Sequence, residues 1–154
     1  MNIIILGAGS VGASVAENLA LESNDVTMID TDSEKLHALQ DRLDIRTIIG
    51  HASHPSVLEQ AGAADADMLL AVTDSDEVNM VACQMAATLF NTPNKIARVR
   101  ASAYLDRKEL LQQEQALVDM FISPEQVVTD YIQKLLERPG SLQVLDFADG
   151  KVQL

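Results

Sequence analysis

Six residues near the start, Gly7-Ala8-Gly9-Ser10-Val11-Gly12, constrain this chain more than any others. They follow an apolar run, Ile3-Ile4-Ile5-Leu6, and open an amphipathic stretch; Asp30 stands eighteen positions after the last glycine. Glycines cluster in loops for many reasons, so the spacing alone carries little. A strand before the turn, a helix after it and a carboxylate ending the second strand make it a dinucleotide fingerprint. Gly7 permits the tight turn, Gly9 lets the backbone approach a pyrophosphate, and Gly12 lets the helix sit close to the strand. Backbone N–H groups near Gly9, Ser10 and Val11 then face the phosphates, helped by the helix dipole.

The rest of the chain repeats the alternation. Strands are predicted near 2–6, 25–30, 46–49, 68–72, 95–99 and 118–122, and helices near 10–22, 33–43, 55–61, 76–90, 103–113 and 124–137. Met68-Leu69-Leu70-Ala71-Val72 is continuously apolar, as a strand covered on both faces must be. Regular β-α alternation implies right-handed crossovers and a Rossmann-like, doubly wound parallel α/β sheet of order 3-2-1-4-5-6. At 154 residues the chain is one domain with a short extension. It buries enough surface to fold without disulfides, and the single Cys83 fits a reducing compartment. No apolar run approaches the ~20 residues of a membrane span, and the first residues lead into the glycine turn rather than a cleavage site. A net charge of −12 and the absence of Trp argue against nucleic-acid or anionic-lipid partners.

The sequence divides into a dinucleotide-binding domain over 1–122, a crossover helix over 123–139 and the start of a second domain over 140–154. Ser123, Pro124 and Gln126 form a capping box for the last helix, and Pro139-Gly140 ends it. Val127, Val128, Tyr131, Ile132, Leu135 and Leu136 form its apolar stripe. Residues 142–147, Asp149-Gly150 and 151–154 read as a hairpin cut short, so a truncated second domain is expected.

Asp30 is placed to accept hydrogen bonds from both adenosine ribose hydroxyls. It repels a 2′-phosphate, and Thr31 and Asp32 supply no arginine, so NAD(H) is expected over NADP(H). Asp32 is suited to capping the second helix. Thr73-Asp74-Ser75 begins an acidic helix start at the sheet's carboxyl edge, as ligand contacts to sugar or nicotinamide or as helix caps. Arg98 and Arg100 flank Val99 on the fifth strand and need anionic partners: a ligand phosphate, or Asp74 or Glu77. Three patterns are decoys. Tyr104 and Lys108 match the Tyr-x-x-x-Lys pair of short-chain dehydrogenases, but the glycine spacing differs and Asn91 stands where that family has serine. His51 and His54 lack a third metal ligand, leaving His51 an adenine-side contact or a loop residue; Cys83 reads as core.

Taken together, Ile3–Gly12, Asp30, Gly50-His-Ala-Ser-His-Pro55, Ala61–Asp67, Ala71–Asn79, Ile96–Arg100 and Ile122–Glu125 resemble the N-terminal nucleotide-binding domain of the bacterial Trk potassium-uptake regulatory subunits, the RCK or KTN group. The resemblance covers residues 1 to about 140, with several separated motifs in order. It implies a non-enzymatic, cytoplasmic subunit, peripheral on the inner face of the plasma membrane. Such a subunit docks on a potassium-translocating subunit of the TrkH/TrkG type and tunes it by nucleotide binding. The family's nucleotide contacts map onto Gly7 to Val11, Asp30, Thr73, Asp74 and Arg98. Related domains that favour ATP often carry arginine where this chain has Ser10, which weakens the case for tight ATP binding; ATP or ADP stays the alternative to NAD(H) at the same site. The resemblance also implies a homodimer or higher oligomer through the 124–137 helix. An NAD-dependent dehydrogenase fragment is the competing reading, because one fold serves both uses.

Overall fold

The computed structural model describes residues 1–106, 117–137, 146–147 and 152–153. The chain divides into two compact units, Met1–Ile122 and Ser123–Leu154. The first is built on six parallel strands: β1 (Asn2–Leu6), β2 (Asp25–Asp30), β3 (Arg46–Ile49), β4 (Met68–Ala71), β5 (Asn94–Arg98) and β6 (Met120–Ile122). Their order is β3-β2-β1-β4-β5-β6, as the alternation predicts. Between them run α1 (Ser10–Leu21), α2 (Ser33–Gln40), α3 (Pro55–Gln60), α4 (Asp76–Phe90) and α5 (Ser102–Leu105). A short 3-10 turn at Ala63–Asp65, absent from the sequence reading, follows Gly62, whose φ of +84° suits a residue without a Cβ.

Both faces of the sheet are covered, and the alternation of β1 divides the core between them. Ile4 and Leu6 join Ile29, Ile48, Leu58, Leu69 and Ala97 on one face, with Ala82, Cys83 and Ala86 of α4. Ile3 and Ile5 join Val26, Met28 and Leu70 on the other, with Ala16 of α1 and Leu36 and Leu39 of α2. Lys95 is 6% exposed yet keeps its charge paired: Nζ lies 2.9 Å from Asp119 Oδ2 and donates to the carbonyl of Thr92. Asp119 also accepts the Lys95 N–H at 2.6 Å, so it ties the segment entering β6 to β5.

Several boundaries move. β4 stops at Ala71 rather than 72, β5 runs 94–98 rather than 95–99, and β6 begins at Met120. The second helix ends at Gln40 rather than 43, and α5 begins at Ser102 and ends at Leu105, capped by Asp106; residues 107–113 of the predicted 103–113 helix lie outside the described residues.

The second unit contains α6 (Pro124–Glu137) and the antiparallel pair β7 (Asp146–Phe147) and β8 (Val152–Gln153), with Asp146 opposite Gln153. Val127, Val128, Tyr131 and Ile132 are all exposed on α6. The side chains of Gln126, Leu135 and Leu136, and the backbone of Pro139-Gly140 and Asp149-Gly150, lie outside the described residues.

Candidate functional site

The strand order reverses at β1, whose neighbours are β2 on one side and β4 on the other, so the loops leaving β1 and β4 diverge. A crevice of about 600 Å3 opens there, at the carboxyl edge of the sheet. Gly7, Gly9, Ser10 and Val11 line it from the glycine turn, Asp30 from the end of β2, Thr73 and Asp74 from the loop after β4, and Arg98 from β5. Thr31, Asp32 and Lys35, together with Gly50, His51 and Ala52 after β3, complete the wall beside Asp30. Of the glycine-turn residues, Ala8 and Gly12 do not line the crevice; Asp30, Thr73, Asp74 and Arg98 all do.

The three glycines answer to three different constraints. Gly7 has φ +104°, and a Cβ there would sit 3.0 Å from the Thr73 backbone. Its N–H donates to the Ile29 carbonyl at 2.8 Å, which turns the chain over the end of β2. At Gly12 a Cβ would lie 1.9 Å from the Gly7 carbonyl oxygen, so α1 packs directly on the turn that starts it. At Gly9 a Cβ would meet nothing within 4 Å. Among the described residues nothing requires glycine at that position, and Gly9 lines the crevice. Gly9 is also the N-cap of α1 and supplies no side-chain cap, whereas Asp32 caps α2 and Ser75 caps α4. The first-turn N–H groups of α1 therefore remain available for an anion.

Asp30 is more heavily engaged than its place in the motif suggests. Its Oδ2 accepts the Ala8 N–H at 2.6 Å and its Oδ1 accepts the Asp32 N–H at 2.8 Å. The Ala8 N–H is thus directed at Asp30 and not into the crevice, which corrects its assignment as a ligand contact. Each Asp30 oxygen retains a second acceptor site, so the carboxylate still fits a ribose diol. Asp32 caps α2 by accepting from the N–H groups of Glu34 and Lys35. The Lys35 N–H, its largest influence, holds its carboxyl below the usual range.

The opposite wall is organised by α4. Ser75 caps the helix through Val78 N–H, while Thr73 and Asp74 line the crevice, so caps and lining residues occur side by side. Asn79, wholly buried, uses all its hydrogen-bonding capacity. Its Oδ1 accepts from Thr73 N–H at 3.0 Å and Thr73 Oγ1 at 2.6 Å; its Nδ2 donates to the carbonyls of Thr73 at 3.3 Å and Arg98 at 2.9 Å. The sequence reading gives Asn79 no role. Its signal is a lone amide on the face of α4 that otherwise carries Ala82, Cys83 and Ala86.

Arg100 lies past the end of β5, not on it. Its Nε sits 3.6 Å from Asp76 Oδ1, and its guanidinium donates to the Asp74 carbonyl. The anionic partner is thus the Asp76 carboxylate rather than that of Asp74 or Glu77. Asp76 Oδ2 also accepts the N–H groups of Arg100 and Ala101 at 2.9 and 2.8 Å.

The decoys resolve locally. Tyr104 donates its hydroxyl to Glu77 Oε1 at 3.1 Å, and that bond raises its pKa, the opposite of what phenolate chemistry needs. Lys108 lies outside the described residues. Glu77 is held below the usual carboxylate range by its own backbone N–H first, then by the Ser75 and Tyr104 hydroxyls. The His51 and His54 rings stand 5.0 Å apart, and no group of three candidate metal ligands occurs among the described residues. Burial pushes the Cys83 thiol up to about 12.

Residues 3–124 match the family model of the TrkA-N domain. The Trk system potassium uptake protein TrkA of Halomonas elongata is 63% identical over 154 residues; the match spans 100% of this chain and 34% of that protein. The chain therefore spans about a third of the length of that relative. Among solved structures, the TrkA-N domain of the inner membrane protein ybaL from Escherichia coli superposes with a TM-score of 0.75 at 17% identity, covering 88% of this chain and 96% of that one. The GsuK channel bound to NAD superposes with a TM-score of 0.65 at 20% identity, covering 80% of this chain and 21% of that one. At these identities the structural likenesses establish the fold.

Proposed function

The chain belongs to the TrkA-N domain family, and from that premise we propose that it is the nucleotide-sensing N-terminal part of a regulatory subunit of a potassium uptake system. The observation that carries the reading is the crevice at Gly9, where the uncapped start of α1 opens on space that no protein atom fills. Its volume lies within the range of small-molecule sites. In this reading the N–H groups from Gly9 to Val11 hold the diphosphate and Asp30 grips the ribose diol. Thr73, Asp74 and Arg98 meet the far half of the ligand. NAD(H) is the preferred occupant, with ATP or ADP as competitors for the same site; NADP(H) is disfavoured because its 2′-phosphate would meet the Asp30 carboxylate.

Residues 1–122 form the binding domain, 123–139 the crossover and dimerisation helix, and 140–154 the start of an RCK C-terminal domain. The exposed stripe of Val127, Val128, Tyr131 and Ile132 supports pairing with a second copy into a homodimer or higher oligomer. Nucleotide binding gates the partner by favouring one arrangement of the paired domains over another, which requires different affinity for the two arrangements. The partner is a membrane potassium-translocating subunit of the TrkH/TrkG type. That places this chain in the cytoplasm, peripheral on the inner face of the membrane. No helix among the described residues is long and apolar enough to cross one.

A thermal-shift panel of NADH, NAD, NADPH, ATP and ADP tests the reading. NADH should raise the melting temperature more than NADPH, and equal shifts would overturn the ribose assignment. NADH oxidation with a set of carbonyl substrates tests the dehydrogenase alternative, and appreciable turnover would remove the regulator reading. The Tyr104–Glu77 bond weighs against that alternative, since it holds the phenol protonated.

A further inference from the structure

We propose that Asn79 is a positioning residue for the part of the ligand beyond its first phosphate, a role that rests on the nucleotide reading above. The ladder between β4 and β5 ends at the Ala71–Ala97 pair. Thr73 and Arg98, which line the far side of the crevice, lie beyond that last rung. The Asn79 carboxamide replaces the missing rung: Nδ2 reaches the Thr73 and Arg98 carbonyls together, while Oδ1 fixes the Thr73 N–H and hydroxyl. Asp76 makes the next tie, gathering the Arg100 and Ala101 N–H groups onto the first turn of α4.

Asn79 is fully buried and does not line the crevice, so it acts through the residues that do. An apolar side chain would pack beside Ala82 and Cys83 without needing partners, whereas a satisfied amide specifies one spacing of the two carbonyls. The glycine turn and Asp30 belong to β1 and β2 and receive no bond from Asn79. The adenosine half of a ligand should therefore be indifferent to Asn79, and the distal half should depend on it.

The experiment measures AMP and NADH affinities by calorimetry on the full chain, unaltered and as Asn79→Asp and Asn79→Ser. The aspartate keeps an acceptor for Thr73 but turns the donor toward two carbonyls into a second acceptor, and the serine is too short to span them. NADH affinity should fall roughly tenfold, the scale of two ordinary hydrogen bonds lost from one wall, while AMP affinity stays within about twofold. Equal losses for both ligands, or no loss for either, would overturn the proposal. So would the failure of both variants to bind AMP, because Asn79 would then hold the fold as a whole. If the unaltered chain binds neither ligand, the nucleotide reading itself fails and the proposal falls with it.

Discussion

Gly9→Ser and Gly12→Ala should move stability in opposite directions, although the two residues stand three apart in one motif. A Cβ at Gly12 would lie 1.9 Å from the Gly7 carbonyl oxygen, where real contacts stay beyond 3.0 Å, so one partner must retreat by about an ångström. Gly7 is not free to do so. It is held by its bond to Ile29, leaving α1 to lift from the sheet with its buried Ala16. Overpacking of this kind costs about 1–3 kcal/mol, and alanine's helix propensity returns up to about 1 kcal/mol. A net loss of about 1 kcal/mol lowers the melting temperature of a chain this size by roughly 2–4 °C. Serine at Gly9 meets no protein atom and is a better N-cap, by a few tenths of a kcal/mol. Its ligand-free melting temperature should hold or rise slightly, yet NADH should no longer shift it. At a hundredfold over the dissociation constant the unaltered chain should gain ~2.7 kcal/mol from the ligand. Differential scanning fluorimetry with and without NADH reads both effects. A full NADH shift in Gly9→Ser would refute the view that the gap at Gly9 is filled by ligand. An unchanged melting temperature in Gly12→Ala would refute the packing argument.

Asp30→Ala should narrow the gap between NADH and NADPH in the same assay. It should also lower the ligand-free melting temperature by several degrees, because the Ala8 and Asp32 N–H groups lose a charged acceptor worth about 1.5–3 kcal/mol. Cys83 should resist a thiol reagent at pH 8 in folded protein and react at once in denaturant, since burial holds its pKa about 12. Below about pH 9 the thiol is neutral folded or unfolded and costs nothing; as pH rises from 9 towards 12 only the unfolded thiol ionises, so stability falls across that window. Labelling of the native chain below pH 9 would contradict this. Val128→Glu with Ile132→Glu should shift the chain toward monomer in analytical ultracentrifugation without lowering NADH affinity. An unchanged sedimentation profile would remove α6 as the association surface.

The parts legible in the sequence were those whose cause is local. β1, the glycine turn, α1 and Asp30 follow from alternation and backbone geometry within thirty residues, and the strand order follows from the chirality of successive crossovers. The errors fall where a partner lies far along the chain. The pattern puts Arg100 on the fifth strand with a ligand phosphate, Asp74 or Glu77 as its anion, but Asp76, twenty-four residues earlier, captures its backbone and side chain together. The family mapping places Ala8 among the nucleotide contacts, while a carboxylate twenty-two residues away takes its N–H. Asn79 carries no pattern of its own, because an amide's worth depends on which carbonyls the fold brings within its reach.

The register of β1 has a bearing on how the molecule is made. Ile3 pairs with Val26 on one side and with Met68 on the other, so β1 emerges from synthesis some sixty-five residues before its second edge is satisfied. Until then an apolar ribbon stands open to mispairing. The crevice does not exist in that interval either, since half its rim is still untranslated. On the proposed reading, a nucleotide gripped from both sides stabilises only chains in which β4 has joined β1.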